Sequence, residues 1–265
     1  MDLTLLRKIP RTTRRSGLWL GLASLLVGLF VWWLVVRMTN LPAFILPSPM
    51  QVWLRFLGVL SDGSLFINTG VTLLEILLGL LVGVTLATVI GYLVAKSRAL
   101  ERVLSPYLVA SQAVPLVAIA PLLVIWFGPG MFSKVLICAL IVFFPVLVNT
   151  VVGVRAVPPA LHNLMRSLHA TPGQILRKLE IPAALPVFLG GLRVGATLSV
   201  IGAVVGELVG ADQGLGFLIN VGRGQYDTAL VFVAVFALIV LALCLYGAVA
   251  WAESRVLAWQ EWRQE

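Results

Sequence analysis

Charge is what this sequence has least of. Asp, Glu, Lys and Arg make up 11% of its 265 residues, against roughly 25% in soluble domains, so an ordinary water-soluble globule is excluded. Cysteine is nearly absent. Cys138 and Cys244 sit singly inside apolar runs, with neither a disulfide framework nor metal-ligand spacing, and read as small core residues. The two histidines, His162 and His169, share one polar stretch, away from any serine or carboxylate pair that could build an intramembrane catalytic site. No G-x-x-x-x-G-K-S/T phosphate loop occurs, so nucleotide chemistry of that kind belongs elsewhere. Nor does a chain of Asp, Glu and His residues run through the apolar segments, which argues against an ion-driven relay.

What the sequence has is apolar length. Hydrophobic residues reach 60% and mean hydropathy is +1.04. Six runs approach the roughly 20 residues that cross a hydrocarbon core: 18–36, 67–95, 104–127, 131–154, 187–209 and 229–252. An all-α integral membrane protein with six transmembrane helices is predicted. The net charge of +8 suggests nucleic acid until the basic positions are mapped. With the N-terminus in the cytoplasm, fourteen fall inside (Arg7, Lys8, Arg11, Arg14, Arg15, Lys96, Arg98, Arg102, Arg155, Arg166, Arg177, Lys178, Arg255 and Arg263). Three fall outside (Arg37, Arg55 and Arg223), and Lys134 and Arg193 lie near span ends. The asymmetry is the positive-inside pattern, which places both termini in the cytoplasm and removes the need for a nucleic-acid partner. The first apolar run is too long for a signal peptide and lacks a small-x-small cleavage site, so it reads as a retained span. The expected organisation is a basic tail (1–16), a first transmembrane helix (17–37) and an extracytoplasmic segment with an interfacial helix (38–65). A core (66–252) and a second cytoplasmic tail (253–265) follow.

Local signals refine this picture. Ser48 can cap a helix whose first residue is Pro49. The apolar residues after it recur at helical spacing, which suits either an interfacial helix or a short helix against the bundle. Gly79, Gly83, Ala87, Gly91 and Ala95 recur every fourth position, and Gly191, Gly195, Ser199, then Gly202, Gly206 and Gly210 repeat the pattern. Such stripes let helix backbones approach closely, within one chain or across a dimer. Pro106, Pro115 and Pro121 kink the third run, and Pro145 the fourth. Glu75 and Glu207 fall in apolar runs and must face protein, water or the interface. Gln112, Asn149, Ser199 and Glu207 are candidate pathway residues by polarity, or else make interhelical hydrogen bonds.

Residues 163–182, NLMRSLHATPGQILRKLEIP, form a polar island between two spans. A short helix is predicted over 163–168. Thr171 can cap a second helix at 173–179, with Pro182 and Pro186 ending it before the fifth span. Leu164, Met165, Leu168 and Ile175 beside Arg166, Arg177 and Lys178 make a small docking surface, or a solvated cap on the bundle.

This hairpin, at about 157–184, resembles the E-A-A-x3-G-x9-I-x-L-P loop of ATP-binding-cassette importer permeases. Aligned on Pro182, Leu179 and Ile181 take the I and L places; Asn163, Leu164 and Met165 replace E-A-A, and His169 replaces the glycine. Leu46-Pro47-Ser48-Pro49, Pro115 through Trp126-Phe127-Gly128, Gly190-Gly191-Leu192-Arg193 and Gly206-Glu207 resemble the same family, in the branch that imports sulfonates, nitrate, taurine and vitamin-like heterocycles. The island and the 207–216 region are most similar to permeases for riboflavin or a thiamine pyrimidine precursor. The resemblance implies the type I importer permease fold and a second permease copy, with no cofactor on this chain. It also implies a separate ABC ATPase subunit that uses ATP and an extracytoplasmic solute-binding protein. Asn163, Arg166, Leu168, His169, Ala170, Thr171, Gly173 and Arg177 would then contact the ATPase. An ion-coupled secondary transporter is the competing class; it leaves the hairpin unexplained.

Overall fold

Proline, glycine and side-chain caps set most of the helix boundaries. The computed structural model describes residues 14–39, 41–113 and 115–259, which form helices and short turns without a strand. In order these are α1 (Arg14–Thr39), α2 (Pro49–Ser61), α3 (Ser64–Lys96), α4 (Arg98–Ala113), α5 (Leu116–Phe127) and α6 (Met131–Arg155). Then come α7 (Pro159–Ser167), α8 (Pro172–Ile175), a π-helical turn (Leu176–Glu180), α9 (Ile181–Val209), α10 (Leu215–Gly224) and α11 (Thr228–Val256). The basic tail at 1–13 and the end of the second tail at 260–265 lie outside the described residues.

Ser48 caps α2 as its sequence predicts. Its hydroxyl accepts from the Gln51 amide while the Gln51 side chain accepts from the Ser48 amide, a reciprocal capping box with Pro49 in the first turn. Val52 and Val59 bury one face of α2 against the bundle, while Trp53 and Leu54 remain exposed on the other.

Among the described residues, five helical stretches are long and apolar enough to cross a membrane: within α1, α3, α6, α8–α9 and α11. The predicted third span is not one helix. It divides into α4 and α5 around Pro115, which has no amide hydrogen and disfavours helical geometry in the residue before it. The 12 residues of α5 reach about 18 Å, short of a hydrocarbon core near 30 Å. The fifth span departs in the other direction. Pro182 and Pro186 do not stop the hairpin helix, and helical structure runs on from Pro172 to Val209. The π turn explains part of this. Its wider hydrogen-bond pattern has already left the α ladder, so Pro182, in the first turn of α9, removes a bond that would not have formed. The first hairpin helix also starts earlier than predicted, at Pro159, with a proline in its first turn.

The core is a layer of three helices with α6 in the middle. The small-residue stripes turn out to pack within the chain. Gly79, Gly83, Ala87 and Gly91 of α3 face one side of α6, and Gly202 and Gly206 of α9 face the other. A Cβ at Gly83 would sit 2.7 Å from the Ala139 carbonyl oxygen, and one at Gly202 would sit 2.9 Å from the Cys138 Cα. Cys138 and Ala139 are thus gripped from both sides, at distances only glycine permits. Beyond this layer, Leu215 and Leu218 of α10 and Leu230, Val233 and Leu238 of α11 complete the largest apolar core. The rim helix α1 attaches through Trp32, whose ring stacks on Phe232 at 5.2 Å and whose Nε1–H donates to the Pro47 carbonyl at 3.1 Å. Large apolar side chains such as Leu81, Ile125 and Leu243 stay exposed on the flanks, a surface suited to lipid rather than water.

Candidate functional site

Three polar assemblies stand out on this apolar scaffold. The first is the hairpin at the basic end. α7 ends in a Schellman motif: the Ala170 amide donates to the Met165 carbonyl at 3.0 Å, and the His169 amide to Arg166 at 2.9 Å. His169 itself adopts φ +57°, so the left-handed turn is kept although glycine is absent from it. Thr171 then caps α8 through a second capping box with Gln174. These turns hold the predicted contact residues on one projecting element. Asn163, Arg166, Leu168, His169, Thr171, Gly173 and Arg177 are exposed and Ala170 is half-buried. Leu168 is 68% exposed, with Arg166 two residues before it and no cover among the described residues.

The second assembly roots this hairpin in the bundle. Glu180, in the π turn, is only 1% exposed. Its carboxylate accepts from Tyr92 Oη at 3.1 Å, pairs with Lys96 Nζ, and meets His162 Nε2 at 3.0 Å. One carboxylate thereby joins the hairpin's first helix, the start of α9 and the last turn of α3. Beside it, Arg155 at the end of α6 forks onto Glu101 of α4 and donates to the Val94 carbonyl at 3.2 Å, placing a cation at the C-terminus of α3. The Arg155 guanidinium holds the Glu101 carboxyl below its ordinary range. An apolar cavity of about 430 Å³ opens between α3, α6 and α9, with Tyr92, Thr150, Glu180 and Phe188 in its wall. Sequence reasoning missed the Glu180 junction. The available signals were that Glu180 is the only acid in the island and that Tyr92 and Lys96 share a helix face at i, i+4.

The third assembly lies at the far end. Glu75 and Glu207 do not reach the interface; both are 0% exposed. Glu75 Oε1 lies 3.0 Å from Lys134 Nζ, itself buried. Glu207 accepts from Thr72 Oγ1 at 2.6 Å and from the Gly216 amide at 2.5 Å. Asn68 and Thr72 accept from the Gly214 and Leu215 amides at 2.7 and 2.8 Å. Side chains of α3 and α9 therefore satisfy the free amides at the start of α10, where the helix dipole also favours the negative Glu207. Gly214, at φ +119°, makes the turn.

The candidate pathway residues do not converge. Asn149 is half-buried beside Gly191 and donates to the Pro145 carbonyl at 2.8 Å. Ser199 is buried and donates to the Ala196 carbonyl at 2.7 Å. Glu207 belongs to the far cluster, and the side chain of Gln112 lies outside the described residues. Among the described residues no group of His, Cys, Asp and Glu could hold a metal ion.

Residues 79–258 match the family described as binding-protein-dependent transport system inner membrane component. The chain is 46% identical over 242 residues to the riboflavin transport system permease protein RibX of Chloroflexus aurantiacus, covering 91% of this chain and 90% of that one. It is 36% identical over 231 residues to the formylaminopyrimidine transport permease protein ThiX of Halalkalibacterium halodurans, covering 87% and 92%. Among solved structures it resembles a chain of the MetNI methionine ABC transporter in an inward-facing conformation. There the TM-score is 0.59 at 19% identity, covering 74% of this chain and 95% of that chain.

Proposed function

Because the chain belongs to the family of inner membrane components of binding-protein-dependent transport systems, we propose that it forms the solute pathway of an ATP-driven importer. It is a multi-pass membrane protein with the fold of ABC importer permeases. In the proposed assembly both termini lie in the cytoplasm, and α4 and α5 together make the third of six crossings. Two copies enclose the pathway. Two copies of a separate ATPase dock on the hairpins, and an extracytoplasmic binding protein delivers the solute. ATP is used by the ATPase, and this chain holds no cofactor. The cargo is a small vitamin-type heterocycle such as riboflavin or a thiamine pyrimidine precursor; likeness to RibX and ThiX supports that choice over a sulfonate, taurine or nitrate.

The observation that carries the reading is the hairpin. Its exposed Leu164 and Leu168, ringed by Arg166, Arg177 and Lys178, form an uncovered apolar patch with a basic rim, the pattern of a protein-docking surface. The Glu180 junction gives movement of that patch a rigid route into α3 and α9. The decisive test is reconstitution of the chain with its co-purifying ATPase and binding protein in liposomes, followed by uptake of labelled riboflavin, formylaminopyrimidine and taurine. ATP-dependent riboflavin or pyrimidine uptake is expected. Ala170→Glu, which sets a bulky acid in the hairpin turn two residues from Leu168, should abolish uptake and ATPase capture while leaving membrane insertion unchanged. Full uptake by that variant would sink the docking model, and ATP-independent flux through the chain alone would replace it with a secondary carrier.

A further inference from the structure

The far-end cluster holds two carboxyls against one ammonium. Glu75 and Glu207 are 0% exposed and Lys134 is 6% exposed. Of the charged and titratable groups on the elements packed there, Glu75 on α3, Lys134 with Cys138 one turn further along α6, and Glu207 on α9 lie at the site; exposed Asp212 sits in the loop before α10, Arg223 in the last turn of α10, and Tyr92, Lys96, Arg155 and Arg193 further along α3, α6 and α9. With both acids ionised, the buried set carries a net negative charge away from water, a state that proteins avoid by taking up a proton.

Hydrogen bonding says which acid takes it. Glu207 is built to be a carboxylate, since a hydroxyl and a backbone amide both donate to it. Glu75 is served less well: among the described residues neither of its oxygens accepts a hydrogen bond of good geometry, although Lys134 pairs with Oε1 at 3.0 Å. The two carboxyls share one buried site: Glu75 lies one turn along α3 from Thr72, which donates to Glu207 at 2.6 Å, and Lys134, paired with Glu75, packs against Gly206 next to Glu207. Two acceptors facing each other make no bond. One proton between them makes a strong one.

We propose that Glu75 is a proton-binding site, protonated at neutral pH and donating to Glu207, and that this shared proton latches the start of α10 onto α3. The closed set is then neutral: a carboxylic acid, a carboxylate and an ammonium. Glu207 is the pivot, because the carboxylate that receives the Glu75 proton also holds the Gly216 amide and the Thr72 hydroxyl, which in turn accepts from Leu215. Loss of the proton sets two carboxylates against each other, pushing Glu207 away from the α10 amides and freeing the 210–216 turn. The inference concerns a device at the far end of the molecule and does not depend on the identity of the cargo.

Two measurements on the full chain in lipid nanodiscs test it. Infrared spectroscopy at neutral pH should show a protonated carboxylic carbonyl band that disappears in Glu75→Gln and persists in Glu101→Gln. Hydrogen–deuterium exchange, corrected for the intrinsic pH dependence of the amides, should show Gly214–Gly216 protected at neutral pH. Since the latched state binds one proton more than the open one, protection should fall about tenfold per pH unit where that proton is released. Glu75→Gln, which keeps a donor permanently in place, should hold the turn closed at the same high pH. Absence of the carbonyl band in the unmodified protein overturns the proposal, even if the variant fails to fold. So do a band that survives Glu75→Gln, protection independent of pH, and protection that follows sodium instead of protons.

Discussion

The tightest constraint in this fold is the grip on Cys138 and Ala139, and a pair of glycine substitutions on α9 isolates it. Gly190 and Gly202 both lie inside α9, but a Cβ on Gly190 meets nothing within 4 Å, whereas one on Gly202 would lie 2.9 Å from Cys138 Cα and 3.3 Å from Ile141 Cδ1. Replacement by alanine gives each site the same helix-propensity gain, about 0.8–1 kcal/mol. At Gly202 the obstructing atom belongs to the backbone of α6, which cannot rotate away, so α6 and α9 must separate locally. Overpacking of this kind costs about 1–3 kcal/mol. Gly202→Ala should therefore end up neutral to about 2 kcal/mol less stable, while Gly190→Ala gains up to about 1 kcal/mol. Thermal unfolding of both variants in the same detergent reads the difference, with Gly247→Ala on α11, also free of neighbours within 4 Å, as a second control. Equal shifts at Gly190 and Gly202 would refute the claim that close backbone contact, rather than helix-forming tendency, is why glycine stands at 202.

Three further outcomes follow from the basic end. Glu180→Gln leaves Lys96 and His162 without their anion; charge-assisted bonds of this kind are worth about 1.5–3 kcal/mol each. Lys96 is partly exposed and can rehydrate, so the expected loss lies at the lower end of that range, with ATP hydrolysis retained but uncoupled from uptake; coupled uptake at the normal rate would contradict the junction's role. His169→Gly should be tolerated, because φ +57° suits glycine. His169→Val should destabilise the hairpin by on the order of 1 kcal/mol, read as loss of exchange protection at the Ala170 amide. Glu101, held below its ordinary value of 4.5 by Arg155, contributes to stability above that value and stops contributing as pH falls through its folded-state midpoint. The stability gap between the unmodified protein and Glu101→Gln should accordingly close on acidification, and a gap that widened would reverse the sign of the argument.

Features whose cause is local were legible in the sequence. Ser48 and Thr171 cap helices because their hydroxyls serve amides three residues on, and the four-residue spacing of Gly79, Gly83, Ala87 and Gly91 marks a helix face whatever it packs against. The projecting hairpin was legible for the same reason, since polar residues between two long apolar runs have nowhere else to go. Proline was read less well. In water a proline pair such as Pro182 and Pro186 ends a helix; in a membrane, ending it would expose more unpaired backbone than continuing does, so the helix runs on past them, here beyond a π turn. Pro115 did break its helix, and nothing in its immediate sequence separates the two cases.

The polar junctions were hidden for a different reason, which bears on how the molecule is built. Glu180 finds Lys96 and Tyr92 across 84 and 88 residues, and Glu207 finds Thr72 across 135. In each case the acid sits near one end of α9 and its partners near the matching end of α3, with glycine and alanine between them along both helices. Those stripes pack on the two sides of α6 and not on each other, and helix contact without side-chain interlocking leaves sliding and rotation weakly opposed, because lipid is as good a solvent for apolar surface as another helix. Directional bonds at the two ends are what fix the register of α3 against α9. In the proposed assembly, a push at the hairpin would reach α3 through Glu180, and α3 and α9 moving together would carry it to Glu207 and the turn before α10. Changing Glu180 should therefore alter exchange protection at Gly216, at the opposite end of α9. Protection there that is indifferent to Glu180→Gln would mean that the two ends move independently, and that α3 and α9 do not act as one lever.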